Sequence, residues 1–183
     1  GIKTVMNLLG PLANPASATY QLIGVYDGVL CQVVAKAARL LGVRRVMTVH
    51  GEDGSDEISV SGPTRAVRID ELDEAQELQL TPEELGISRH DVEAIAGGTP
   101  EQNVEQAREL MAGGGKSALR DAVAVNAGAA LYVCELARDI CAGTKIALDA
   151  LSSGAVAQKV DEIVSLAGVL AEREVIKDRD GSK

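Results

Sequence analysis

The feature that most narrows the folds open to this chain lies between residues 20 and 50. Residues 20–26 (YQLIGVY) are a short apolar run rich in strand formers, and residues 45–50 (RVMTVH) are another. Between them Leu30, Val33, Val34, Ala37, Ala38 and Leu41 recur at helical spacing. The pattern predicts a helix over 28–41, capped by Asp27 and stopped by Gly42. Strand, helix and strand within about 30 residues make a βαβ unit, whose strands lie parallel in one sheet. The expected fold is therefore α/β, a mostly parallel sheet flanked by helices.

The filling of such a core is unusual. The chain has no Phe, no Trp and three Tyr, so Ala, Val, Leu and Ile must build the interior. Small side chains let helices lie close to one another and to a sheet. The lack of aromatics also removes a stacking platform for single-stranded nucleic acid. Lysine and arginine number 18 against 27 aspartates and glutamates, a net charge of −9. Nucleic acid and anionic membrane, which need a basic face, are thereby disfavoured as partners. No apolar run reaches the roughly 18 residues of a membrane span. Cys31, Cys134 and Cys141 form no C-x-x-C pair and are odd in number, which suits a cytoplasmic, reducing setting. They are expected to act as buried small hydrophobes, Cys134 and Cys141 on one face of a single helix.

Around this unit the chain reads as follows. Residues 4–10 predict a short helix stopped by Gly10 and Pro11. Residues 57–60 (EISV) predict a short strand, and residues 65–69 and 77–80 a β-hairpin excursion. Thr81-Pro82-Glu83-Glu84 and Thr99-Pro100-Glu101-Gln102 both carry the signal of a helix start. The first helix is cut short by Gly86, and the second runs to about Ala112. Residues 116–140 predict one long Ala-rich helix. Gly143 is expected to separate it from a last helix over about 145–173, broken near Ser152–Gly154. The whole is expected to form one α/β domain over 1–175, with a disordered tail over 176–183.

Chemistry concentrates in one loop. Gly51-Glu52-Asp53-Gly54-Ser55-Asp56-Glu57 packs four carboxylates into six positions at the carboxyl end of the second strand, the edge where open α/β sheets bind ligands. Two readings stand: a solvated acidic turn, or carboxylates converging on a hard divalent cation such as Mg²⁺, which takes oxygen ligands. Lys116 follows three glycines, yet Leu110 occupies the position where a phosphate-loop motif needs glycine, and a helix rather than a strand precedes it. A helix–helix link is the better account. His50 ends the second strand beside the acidic loop, and His90 lies in a polar turn. Neither has a nucleophile partner in the sequence.

Several stretches in one order resemble anthranilate phosphoribosyltransferases. They are Asn7-Leu8-Leu9-Gly10-Pro11-Leu12-Ala13-Asn14-Pro15-Ala16, Gln21-Leu22-Ile23-Gly24-Val25-Tyr26, Val49-His50-Gly51 with Asp56-Glu57-Ile58-Ser59, and Gly62-Pro63-Thr64. Gly97-Gly98-Thr99-Pro100-Glu101-Gln102-Asn103, Asn126-Ala127-Gly128-Ala129-Ala130-Leu131-Tyr132 and Ser153-Gly154-Ala155 continue the series. The resemblance runs from residue 1 to about 170. Lys3 stands where arginine is usual and Met6 where phenylalanine is usual, while the turn at 73–76 lacks the usual glycine.

The resemblance implies the larger domain of the two-domain fold shared by nucleoside phosphorylases and such phosphoribosyltransferases, with residues 1–16 near the hinge. It implies transfer of phosphoribose from phosphoribosyl pyrophosphate (PRPP) to anthranilate, a step of tryptophan biosynthesis. It matches Asp56 and Glu57 to the adjacent acids that hold Mg²⁺. The segments that hold PRPP, and an arginine that meets anthranilate, lie upstream of Gly1 in the family. This chain, whose opening without methionine suggests a fragment, is therefore expected to be inactive alone, and no catalytic or substrate-binding residue is assigned within it. The complete enzyme is expected to be a homodimer, largely through a helical domain not represented in this chain. Two alternatives stay open: a related transferase or pyrimidine nucleoside phosphorylase with another acceptor, and a non-catalytic metal- or partner-binding domain.

Overall fold

The computed structural model describes residues 10–72 and 74–180, with side chains to residue 170. The chain separates into two compact units. One comprises the residues up to Gly97 together with Lys116–Leu148, and the other Gly98–Gly115 together with Asp149 onward.

The first unit is built on a four-stranded sheet in the order β1 (Tyr20–Gly24), β2 (Arg45–Gly51), β3 (Thr64–Ile69) and β4 (Ala75–Leu80). β1 and β2 run parallel, as the βαβ pattern requires, with Leu22 opposite Met47. β2–β3 and β3–β4 are antiparallel. The α/β class and the hairpin stand, but the sheet is mixed rather than mostly parallel. Between β3 and β4 the physical reason is connection length, five residues being too few for a crossover; between β2 and β3 the acidic loop is spent on turns and forms no helix.

Helix α1 (Cys31–Leu40) covers one face. It is preceded by a 3₁₀ turn, Gly28–Leu30, whose first amides are met by Asp27: its carboxylate accepts from Val29 N at 3.1 Å. The predicted helix over 28–41 is thus a 3₁₀ turn followed by an α-helix. Cys31, Val34, Ala35 and Ala38 pack on Ile23, Val46, Val67 and Ile69. The opposite face takes Met47, Val49 and Ala66 against Ala122, Val125, Ala129 and Val133 of α3 (Ser117–Val133). Burial on both faces explains why four consecutive residues of β2, Val46 to Val49, are buried with no alternation toward solvent. Each fully buried Val or Met there contributes about 1.5–3 kcal/mol.

Where α3 meets α4 (Ile140–Ser152) the backbones nearly touch. A Cβ on Gly128 would stand 2.7 Å from Thr144 Cα, and one on Gly143 2.9 Å from Gly128 Cα. Gly143 therefore does not separate two helices. It lies inside α4, and the Ala-rich run breaks earlier, after Val133. Leu136 N–H donates to Leu131 O at 2.9 Å and Glu135 N–H to Tyr132 O at 3.1 Å, a Schellman ending. Its left-handed position is held by Glu135, at φ +63°. Cys134 and Cys141 consequently sit on different elements: Cys31 is buried, Cys134 half-buried and Cys141 exposed.

The second unit holds α2 (Pro100–Met111) and α5 (Ala155–Asp180), which touch each other. Thr99 and Gln102 form the complete capping box read from the sequence. Gly113 and Gly115 close α2 at positive φ, and Gly154, at φ +77°, precedes α5. Three further expectations resolve differently. Residues 81–87 form successive turns rather than a helix, although Thr81 Oγ1 does meet Glu84 at 2.7 Å. Residues 57–60 form no strand. Residues 10–12 are helical, past the expected stop at Gly10 and Pro11, and the rest of the 4–10 prediction lies outside the described residues. Among the described residues no single helix is long and apolar enough to cross a membrane.

Candidate functional site

The acidic loop leaves β2 at Gly51 and returns to β3 at Thr64, so it sits at the carboxyl end of the parallel pair β1–β2. β1 stops beneath it. A Cβ on Gly24 would overlap the carbonyl oxygen of Asp56, so β1 can approach the loop only because its last residue is glycine. His50, the last side chain of β2 before the loop, places Nδ1 2.8 Å from Val25 O and packs beside Gly28. It shapes the wall and does not reach the carboxylates' cluster through any hydrogen bond.

The four carboxylates do different things. Glu52 is approached by the Gln79 amide of β4 at 3.5 Å. Asp53 turns inward. Its Oδ1 accepts from Ser55 N at 3.0 Å and Ser55 Oγ at 2.6 Å, and its Oδ2 from Ser59 Oγ at 2.6 Å and Ser61 Oγ at 2.7 Å. Partial burial works to raise its pKa, but these hydrogen bonds from Ser55, Ser59 and Ser61 outweigh it and pull the carboxyl down to about 2. Asp53 is therefore ionised and satisfied internally.

Asp56 and Glu57 are exposed, and no side chain among the described residues bonds to their carboxylates. The next residue is gripped from α3: Ile58 N–H donates to Asn126 Oδ1 at 2.9 Å, and Asn126 Nδ2 donates to Ile58 O at 3.2 Å and to Ala122 O at 3.0 Å. Ser59 N–H donates to Thr64 Oγ1 at 2.9 Å. The exposed pair is thus carried on a loop whose far side is buried, with Ile58, Ser59 and Val60 nearly inaccessible.

Among the described residues, no group of three or more His, Cys, Asp or Glu side chains converges as a metal cage. Two neighbouring carboxylates without a third protein ligand do not suit Zn²⁺ or Ca²⁺, which gather most ligands from the protein. They do suit Mg²⁺, which keeps several waters and is bound through one or two carboxylates plus phosphate oxygens of a substrate. The donor set fits that ion.

The residue pattern leaves the acidic loop open between a solvated turn and a metal site, and it is the resemblance that matches Asp56 and Glu57 to Mg²⁺ ligands. Neither separates Asp53 from them as an internal acceptor. The signal was present in Ser55, Ser59 and Ser61, three hydroxyls flanking an acidic run. In the sequence Asn126 stands out only through the resemblance. Its grip on Ile58, 68 residues away, had no local signature.

The description "Glycosyl transferase family, a/b domain" matches residues 1–157. An anthranilate phosphoribosyltransferase of Haloarcula marismortui is 44% identical over 164 residues, covering 90% of this chain and 49% of that protein. The crystal structure of the anthranilate phosphoribosyltransferase from Thermus thermophilus superposes with a TM-score of 0.83 at 39% identity, covering 90% of this chain and 48% of that one. The Saccharomyces cerevisiae enzyme in complex with PRPP and Mg superposes with a TM-score of 0.78 at 28% identity, covering 88% and 46%. The chain spans about half the length of the curated relatives it matches.

Proposed function

The chain belongs to the glycosyl transferase family through its a/b domain, and from that membership we propose that it is the metal-holding part of an anthranilate phosphoribosyltransferase. The reaction moves phosphoribose from PRPP to the amino group of anthranilate, on the way to tryptophan. The amino nitrogen bonds to the ribose anomeric carbon, and the bond from that carbon to pyrophosphate oxygen breaks. Its electron pair leaves with the pyrophosphate, and the amine loses a proton.

The observation that carries this reading is how the four carboxylates are used. Glu52 and Asp53 have partners within the protein, while Asp56 and Glu57 stand exposed with none among the described residues. Two free carboxylates side by side repel unless a cation lies between them. Asp56 and Glu57 would hold Mg²⁺, directly or through water. Bound there, the ion supplies charge neutralisation for the departing pyrophosphate. The support for Mg²⁺ and PRPP is the yeast relative, whose structure is described as a complex with both.

The rest of the task is placement. β1 ending on Gly24, the Asn126 grip and the serine contacts hold the loop backbone that carries the two carboxylates. No side chain in the loop is arranged as a covalent nucleophile, and direct displacement needs none. The cysteines are free, in keeping with a cytosolic setting.

The experiment is a Mg²⁺ titration of PRPP- and anthranilate-dependent product formation in the full-length protein and its Asp56→Asn/Glu57→Gln variant. The variant should need at least about tenfold more Mg²⁺ for half-maximal rate, the scale of loss typical of perturbed metal sites. An unchanged Mg²⁺ requirement sinks the assignment of these two residues.

A further inference from the structure

Resting on that assignment of Asp56 and Glu57, we infer that Asp53 is a positioning residue: it ties both ends of the arch that carries the two metal ligands and sets their spacing. The argument is one of hydrogen-bond direction. Ser59 Oγ accepts from Ser61 N–H at 3.0 Å and Gly62 N–H at 3.1 Å. Both its lone pairs are then used, so its one proton must go to Asp53 Oδ2, 2.6 Å away. Ser61 Oγ lies 3.0 Å from Ser59 Oγ and 2.7 Å from the same carboxylate oxygen. Ser59 has no acceptor capacity left, so Ser61 must also donate to Asp53. One carboxylate oxygen receives two hydroxyl protons, and the other receives the amide and hydroxyl of Ser55.

This site admits only an acceptor. An amide of the same shape would turn an NH₂ group toward two hydroxyls whose protons already point at it. The carboxyl, held near pH 2 by the same bonds, supplies the acceptor at every physiological pH.

The geometry reaches the ligands directly. Ser55 precedes Asp56, and Ser59 follows Glu57 by two residues. The arch 56–58 is therefore flanked on both sides by residues, Ser55 and Ser59, bonded to one carboxylate. Asp53 itself is braced from below: a Cβ on Gly51 would stand 2.5 Å from its Oδ1 and 3.1 Å from Ser59 Cβ. Ser59 N–H is also held by Thr64 at the start of β3. Losing Asp53 would leave Asp56 and Glu57 in place in the sequence and free to drift apart in space.

The test uses Mn²⁺ as the probe, its binding to the full-length protein followed by electron paramagnetic resonance with inorganic pyrophosphate present. Four proteins are compared: wild type, Asp53→Asn, Ser59→Ala/Ser61→Ala, and Asp56→Asn/Glu57→Gln. Asp53→Asn is expected to raise the Mn²⁺ dissociation constant by at least about tenfold, as loss of partners behind metal ligands does, with its circular dichroism spectrum unchanged. The serine double variant keeps every charge and is expected to weaken binding in the same direction. If Asp53→Asn binds Mn²⁺ like wild type while Asp56→Asn/Glu57→Gln does not, the ligand assignment stands and the positioning role falls. If Asp53→Asn weakens binding and the serine variant does not, the effect is one of charge, and positioning again falls. If Asp56→Asn/Glu57→Gln binds normally, the ligand assignment itself fails and takes this inference with it. Should Asp53→Asn not fold, Ser61→Ala removes a single donor and decides by the same readout: weakened binding supports the role and unchanged binding overturns it.

Discussion

Single residues in the acidic loop carry measurable pH behaviour. The Asp53 carboxyl is lowered from 3.8 to about 2 on folding. A lowered folded value adds stability that is complete above the unfolded value and vanishes as pH falls through the folded one. Discounted for its partial exposure, that amounts to about 1 kcal/mol. The urea midpoint of wild type should exceed that of Asp53→Asn by a constant margin above pH 4, and the margin should shrink between pH 4 and pH 2. A margin that stays constant to pH 2 would count against the ionised, internally bonded carboxylate. At this scale the sequence exposed the cluster of acids and not their division of labour. Glu52, Asp53, Asp56 and Glu57 are alike as letters. They are told apart by three serines and by Gln79, which arrives from another strand.

At the scale of elements, glycines mark one place where expectation and structure differ. Gly143 is expected from the sequence to separate two helices, yet it and Gly128 are contact points where α3 and α4 cross. Gly128→Ala should lower stability by about 1–3 kcal/mol, the cost of forcing an extra methyl into a packed site. At Gly168 in α5, where a Cβ meets nothing within 4 Å, alanine should instead stabilise by about 0.5–1 kcal/mol. Thermal denaturation of both variants checks the pair, and destabilisation by Gly168→Ala alone would refute the contrast. The Thr99 start was legible because its capping box closes within four residues. The Thr81 start carries similar letters but is followed by Gly86 at φ +82° and by Ile87 N–H bonding back to Pro82 O, which ends the segment as turns. The end of α3 was not legible. Its left-handed position holds a glutamate, stabilised by Arg45 at 3.0 Å and by Tyr20 Oη at 3.3 Å, both distant in sequence.

For the molecule as a whole, the proposed reaction needs more than residues 1–183. The groups that would grip the ribose phosphate and anthranilate are, by resemblance, supplied from outside them. Residues 1–183 expressed alone should give no phosphoribosyl-anthranilate from PRPP and anthranilate at any Mg²⁺ concentration; product formation by the isolated chain would overturn this. The βαβ unit and the hairpin were readable because their patterns are local, whereas the mixed character of the sheet depends on the pairing of β2 with β3 across the acidic loop. One contact has a mechanical meaning. Asn126 clasps both the N–H and the C=O of Ile58, so loop and helix are geared together. A displacement of α3 at Asn126 would carry Ile58 with it, and the neighbouring backbone that bears Asp56 and Glu57 would follow.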